Sequence, residues 1–79
     1  MSVKFEVRVR DRYGRWKVFS VNPDKSKIMQ YFDFLLQQPE TSTVRVARVT
    51  KSMETAELWC DTQGTIRGAW AEDYRNTYF

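Results

Sequence analysis

Histidine is missing from this 79-residue sequence, and cysteine, proline and glycine are scarce, with one, two and three copies. Histidine is the commonest general base near neutral pH and the commonest metal ligand, so its absence excludes Ser-His and Cys-His nucleophile pairs. A single cysteine, Cys60, can neither close an intramolecular disulfide nor build a thiolate metal site, which is typical of a reducing compartment. We therefore predict no catalytic residues, no metal site and a cytoplasmic location.

Two further absences argue against a nucleotide cofactor and a membrane partner. The three glycines, Gly14, Gly64 and Gly68, do not form the closely spaced cluster that a phosphate-binding loop requires, so we expect no nucleotide cofactor. The N-terminal segment carries a charged residue at every second position from Lys4 to Arg10. That spacing leaves no apolar run for a signal peptide or a membrane span, and we expect no membrane partner.

The composition is typical of a folded protein. Hydrophobic residues make up 42% of the chain, aromatic residues 15% and charged residues 29%, which argues against intrinsic disorder. The length accommodates one small domain over residues 1–79. The net charge of +3 is unevenly distributed, because residues 1–17 contain six basic and only two acidic side chains. This modest excess would attract nucleic acid only weakly.

The first third of the chain predicts a β-hairpin. Hydrophobic residues at 3, 5, 7 and 9 alternate with charged residues, which is the pattern of a strand with one buried face. The segment from Asp11 to Gly14 matches a type I turn with a glycine bulge, and a second strand follows over Trp16 to Val21. The predicted buried face contains Phe5, Val7, Val9, Phe19 and Val21.

A helix is predicted after this hairpin. Asn22, Pro23 and Asp24 are typical of a helix start, and apolar residues recur at helical spacing over residues 25–38. Pro39 should end the helix. A third strand is expected over residues 43–51, where Val44 and Val46 alternate out of step with the hydrophobic residues that follow. Burial on both faces, in a central position of the sheet, would explain that slip.

The last third predicts another hairpin and a docked tail. Strands over residues 56–62 and 65–70 flank a turn from Asp61 to Gly64 that repeats the chemistry of the first turn. Three aromatic residues in the segment 71–79 indicate that the tail packs on the domain, which a short helix would achieve. The predicted fold is α+β, a single antiparallel sheet of four to five strands with one helix on one face, in the order ββαβββ.

One helix covers only one side of such a sheet, and the other side is called the open face below. The predicted registers pair Arg10 with Trp16, Trp59 with Arg67, Cys60 with Ile66 and Ala56 with Trp70. Both hairpins thus place a tryptophan beside an arginine on the open face. The candidate partner-binding residues are these side chains, the first turn and an exposed helix aromatic, namely Arg8, Arg10, Arg12, Tyr13, Trp16, Trp59, Arg67 and Phe34.

Structural roles compete with these functional ones. Tryptophan is usually buried, and a Trp–Arg pair can be an ordinary cross-strand contact. The aromatic tail, through Tyr74, Tyr78 and Phe79, could cover the open face. For Cys60 we expect a small buried hydrophobe rather than a reactive thiol.

The leading functional hypothesis is a non-enzymatic module that binds a larger intracellular protein as an inhibitor, adaptor or accessory factor. Chains this small that stand alone are common among phage and plasmid accessory proteins. Aromatic and arginine side chains are enriched in protein interfaces. The same side chains stack bases and neutralise phosphates, so single-stranded DNA or RNA is the alternative partner. Homodimerisation through an open face or a free sheet edge is a third hypothesis.

Overall fold

A computed structural model describes residues 3–78. Its elements, in chain order, are β1 (Lys4–Asp11), β2 (Trp16–Asn22), α1 (Lys25–Leu36), β3 (Thr41–Val49), β4 (Glu54–Asp61), β5 (Ile66–Arg67) and α2 (Ala71–Tyr78). The strands form one antiparallel sheet in the order β2-β1-β3-β4-β5. The predicted α+β class and the single five-stranded sheet are confirmed, with a short second helix in the tail.

Both predicted turns are present. Asp11 Oδ1 accepts hydrogen bonds from the backbone N–H groups of Tyr13 and Arg15, at 2.9 and 3.0 Å. Asp61 Oδ1 makes the same two bonds at the second turn, to the residues two and four positions ahead. Gly14 adopts a φ of 83°, the left-handed geometry that favours glycine in this turn. An aspartate at the first position of the turn therefore organises each hairpin.

Helix α1 begins at Lys25, directly after the predicted start segment of residues 22–24, and Asp24 is its N-cap residue. Asp24 accepts a hydrogen bond from the N–H of Ser26, and Asn22 accepts one from the N–H of Asp24, so both side chains fix the entry to the helix. The helix ends at Leu36, two residues before the predicted end at position 38. Its buried residues, Ile28, Phe32 and Leu35, recur at helical spacing and pack against the sheet.

The hydrophobic core lies between α1 and the middle of the sheet. Strand β3 occupies the centre, and Val44 and Val46 are completely buried on its helix side. Ala47 is buried on the opposite side of the same strand, between Glu6 of β1 and Ala56 of β4. The central position predicted for the third strand is therefore confirmed, and it explains why the alternation of that strand slips.

The core location predicted for two residues of β2 is wrong. Phe19 and Val21 retain 40% and 48% of their surface, because β2 is an edge strand that α1 covers only in part. The register shifts at Phe19, so that Val7 pairs with Ser20 and Val21 pairs with Glu6. This bulge moves Val21 from the helix side of the sheet to the open face, whereas Phe19 stays on the helix side and contacts the ring of Tyr31.

The second hairpin is shorter than predicted. Trp59 pairs with Arg67 and Cys60 pairs with Ile66, as expected. The predicted pair of Ala56 with Trp70 is wrong, because β5 ends after two residues and the chain turns at Gly68 toward α2. The N–H of Trp70 donates instead to the carbonyl of Glu57, at 2.9 Å.

Helix α2 packs on the same side of the sheet as α1. The Tyr74 ring meets the Phe32 ring of α1 edge to face, with centroids 5.4 Å apart, and Tyr74 is buried. Trp70, just before α2, packs on Phe5 with centroids 5.4 Å apart. Tyr74 therefore does not cover the open face. The Tyr78 side chain and Phe79, the other aromatic groups predicted to reach that face, lie outside the described residues.

Candidate interaction face

The open face is the side of the sheet opposite α1 and α2, and its residues follow from the strand pairing. Directly opposed residues of antiparallel strands point to the same side of a sheet, so the register assigns each side chain to a face. A single row crosses all five strands near the middle of the open face. From one edge to the other it contains Val18, Arg8, Arg45, Trp59 and Arg67.

A second row runs beside the first, closer to the two turns. Trp16 of β2 pairs with Arg10 of β1, which pairs with Thr43 of β3 and through it with Asp61 of β4. Beyond this row, the two turns and Ser42 frame a shallow groove of about 320 Å³ whose lining includes Arg10, Arg12, Trp59 and Gln63.

Carboxylates of the same face neutralise the two central arginines. Glu6 pairs with Arg8, and Glu54 pairs with Arg45 through a hydrogen bond of 2.8 Å. The hydrogen bond and the charge of Arg45 lower the pKa of the Glu54 carboxyl from its ordinary value of 4.5. These ion pairs fix the guanidinium groups of Arg8 and Arg45 in place and offset their charge.

The tryptophans of the open face differ in exposure. The Arg67 guanidinium lies over the Trp59 ring, 5.3 Å from its centroid, and Trp59 is half-buried. Trp16 retains 44% of its surface and Val18 49%, and both lie on the edge strand β2 beside arginines of β1. With Val21, they give the open face an apolar strip along one edge, next to its arginine-rich centre.

Five of the eight predicted binding residues lie together on the open face, namely Arg8, Arg10, Trp16, Trp59 and Arg67. Arg12 and Tyr13 are exposed in the first turn, at the end of this face. The Arg15 guanidinium lies 5.5 Å from the centroid of the Tyr13 ring.

Phe34 does not belong to this group, because it lies on α1, on the opposite side of the sheet. Its ring is half-exposed and stands 6.5 Å from that of Phe19. These two rings border a groove of about 720 Å³ between the end of α1 and the first hairpin, whose lining also includes Val9, Lys17 and Pro39. Phe34 thus belongs to a second surface beside β2.

Sequence reasoning missed Arg45, which stands at the centre of the open face. The sequence alternation does indicate the orientation of Arg45, because this residue lies between two inward-pointing valines of β3 and must therefore point outward. Its neighbours on β1 and β4 follow only from the long-range register, which no local pattern specifies. Val21 was missed because the bulge at Phe19 leaves no signature in the sequence.

Cys60 lies in the core, with 3% of its surface exposed. Burial raises the pKa of its thiol to about 11, and the neighbouring charge of Asp61 adds to the rise. The thiol is therefore protonated near neutral pH and shielded from solvent. The prediction of a small buried hydrophobe is confirmed.

Comparison with known proteins gives no relative. No protein family matches the sequence, and neither the curated proteins nor the solved structures give a significant match. Within residues 3–78, no group of three or more Cys, Asp or Glu side chains could hold a metal ion. No helix in this part of the chain combines the length and apolar character needed to cross a membrane.

Proposed function

We propose that the protein is a non-enzymatic binding module that acts by occupying a surface of a larger protein with its open face. One observation carries this proposal. A sheet face uncovered by either helix combines an arginine-rich centre with an exposed apolar strip, formed by Trp16, Val18 and Val21. Tryptophan and arginine are the side chains most enriched among energetically dominant interface residues.

The charges of the open face favour a protein partner over nucleic acid. A phosphate backbone is bound through cations that are free to replace its counterions. On the open face, the carboxylates of Glu6 and Glu54 already engage Arg8 and Arg45. A protein partner gains from such fixed ion pairs, because they offer oriented donors and acceptors with little net charge to neutralise.

Co-purification from the source cell tests this proposal when open-face variants are compared with a matched control. Trp59→Ala removes the half-buried indole, and Arg67→Glu reverses the charge above it. Lys27→Glu reverses a charge on the exposed side of α1, away from the open face. We expect wild type and Lys27→Glu to recover the same stoichiometric protein, and both open-face variants to lose it while circular dichroism shows an unchanged fold. Equal recovery by all four proteins would overturn the proposal.

A single-stranded nucleic acid is the second candidate, favoured by the Trp59–Arg67 pair and its neighbours. Arg10 and Arg12 line the groove beside Trp59. Among the described residues, neither forms an ion pair, so both are available to phosphates while the indole offers a stacking surface. Fluorescence anisotropy with a labelled single-stranded oligonucleotide tests this candidate. Binding at low salt that weakens as salt rises, and that Arg67→Glu abolishes, would favour nucleic acid over protein.

A further inference from the structure

The two edges of the sheet differ in how they are protected. Strand β5, at one edge, has two residues, and the Arg75 guanidinium of α2 donates to the carbonyl of Ile66 at 2.8 Å. Strand β2, at the other edge, has seven residues, contains no proline and is largely exposed along its length. Native proteins usually shorten, cover or charge a free edge, because it can pair with another chain. Among the described residues, the β5 edge is both short and covered by α2, whereas the β2 edge is longer and uncovered, and it is protected only by Lys17 and the bulge at Phe19.

The hydrogen-bonding pattern shows which backbone groups of β2 are free. The N–H of Asp11 donates to the carbonyl of Arg15 at 3.0 Å, so this pair closes the ladder next to the turn. Residues along an antiparallel ladder alternate between bonded and non-bonded pairs. Lys17 is therefore bonded to β1, whereas the N–H and C=O groups of Trp16 and Val18 point away from β1, toward the free edge.

The side chains along this edge have a definite pattern. By register, Trp16 and Val18 belong to the open face and Lys17, between them, belongs to the helix side. Lys17 lines the groove bordered by Phe34, and Trp16, at the end of the strand, also borders that groove. An added strand would place residues of its own opposite these three. The positions opposite Trp16 and Val18 favour apolar side chains, and the position opposite Lys17 favours a carboxylate. Strand β2 itself contains no acidic residue.

A second copy of the chain fits this edge poorly. Two copies can pair about a two-fold axis so that the free backbone groups of Trp16 in one copy bond to those of Val18 in the other. This register places Lys17 directly opposite the Lys17 of the other copy. Like charges in that position are destabilising. The bulge at Phe19 breaks the alternation just beyond Val18, so a longer self-pairing cannot continue.

We propose that β2 binds an extended segment of a partner protein as a sixth strand, with the side-chain pattern apolar–acidic–apolar opposite Trp16, Lys17 and Val18. The inference rests on the proposed function and names the element of the partner that is recognised. Backbone hydrogen bonds to Trp16 and Val18 supply affinity, and the carboxylate opposite Lys17 supplies specificity.

Selection from a displayed library of random heptapeptides on the immobilised protein tests the pattern. We expect wild type to enrich peptides with one acidic residue between two apolar ones, and Lys17→Glu to enrich a basic residue at the same position. Val18→Pro removes a donor that faces the free edge without removing a bond to β1, so it should abolish enrichment while the fold persists. The matched variant Val18→Thr keeps the donor and should retain the selected peptides with no more than about a tenfold loss of affinity.

Amide hydrogen exchange tests the same inference on the wild-type protein, so it does not require a variant to fold. In the free protein the N–H of Lys17 should exchange slowly and those of Trp16 and Val18 rapidly. A synthetic peptide taken from the selection should slow the exchange of Trp16 and Val18. The strand addition would be overturned if the N–H groups of Trp16 and Val18 still exchanged rapidly with the peptide bound. It would also be overturned if wild type and Lys17→Glu selected the same residue at the central position, or if no peptide were enriched.

Two further outcomes separate this inference from its premise. If the cellular partner is lost with Trp59→Ala and Arg67→Glu but retained by Lys17→Glu and Val18→Pro, the proposed function stands and the strand addition falls. A dimer in sedimentation that Val18→Pro converts to a monomer would also overturn the inference, since the occupant would then be a second copy.

Discussion

Arg8 and Arg45 stand directly opposite each other on β1 and β3, at the centre of the open face. Like charges in opposed positions destabilise a sheet. Each guanidinium is engaged by a carboxylate of the same face, Glu6 for Arg8 and Glu54 for Arg45. The two acidic residues therefore permit an arginine pair at the middle of a candidate interface, and the stability of that pair should depend on pH.

Replacing Glu54 with glutamine tests this dependence. The pKa of Glu54 is lowered from 4.5 because Arg45 hydrogen-bonds and attracts its ionised form. A lowered folded-state pKa stabilises the fold above pH 4.5, and this stabilisation is lost as pH falls through the folded-state pKa. We expect wild type to lose stability more steeply than Glu54→Gln below pH 4.5, as measured by urea unfolding at a series of pH values.

Glu40→Gln is the matched control for this experiment. Glu40 is exposed in the connection before β3, so the substitution removes the same charge away from the open face. It should retain the steep wild-type loss below pH 4.5. A Glu54→Gln profile that matches both wild type and Glu40→Gln would contradict the role assigned to the Arg45–Glu54 pair.

The tryptophans Trp59 and Trp70 should differ in their contribution to stability. Trp70 packs on Phe5 and on the Lys25 ammonium, 4.2 Å from its ring centroid, and it contacts the hydrophobic core. Removing it should cost about 3 kcal/mol of unfolding free energy. Trp59 lies on the open face, so Trp59→Ala should cost about 1 kcal/mol. Urea denaturation followed by circular dichroism measures both, and equal losses would place Trp59 in the core.

Local chemistry explains the parts of the fold that the sequence predicts well. The Asp–Gly spacing of both turns specifies the carboxylate-to-backbone hydrogen bonds seen at Asp11 and Asp61, and these set the register of the first pairs in each hairpin. Within residues 44–47, hydrophobic side chains point to opposite faces of the same strand, which indicates that both faces are buried. Burial on both faces places β3 at the centre of the sheet. The Trp59–Arg67 contact follows from the turn alone.

Long-range packing explains the parts that the sequence does not predict. The bulge at Phe19 depends on how β2 fits against β1 and α1, and its consequence is that Val21 reaches the open face. Arg45 meets Arg8 only because β3 pairs with β1, although β2 and α1 lie between these two strands in the chain. The tail becomes helical rather than extending β5, since Gly68 turns the chain and Tyr74 finds a site beside Phe32.

Cys60 should be chemically inert in the folded protein, and the stability that its protonated thiol contributes should be lost only at high pH. Because burial raises the pKa of its thiol from 9.0 to about 11, the folded state keeps the proton over a range in which the unfolded state loses it. Stability from this group is therefore present below pH 9 and is lost as pH rises toward 11. Unfolding free energies should fall more steeply over this range in wild type than in Cys60→Ala.

The reactivity of the thiol checks the same assignment independently. Iodoacetamide at pH 8 should alkylate Cys60 far more slowly in the native protein than in urea. A native rate equal to the unfolded rate would show that the thiol is accessible and that its pKa is not raised by burial.

Gly68 should be the least replaceable glycine. Its φ is 112°, and a Cβ added there would lie 2.3 Å from the carbonyl oxygen of Glu57, so backbone would have to move. Gly64 also has a positive φ, of 92°, but an added Cβ would meet nothing within 4 Å. We expect Gly64→Ala to cost about 1 kcal/mol from backbone strain alone, and Gly68→Ala to cost about 3 kcal/mol or more. Because the clash lies where Trp70 bonds to Glu57, thermal unfolding of Gly68→Ala should also show early loss of α2, and equal melting temperatures for the two variants would contradict the tight approach of this turn to β4.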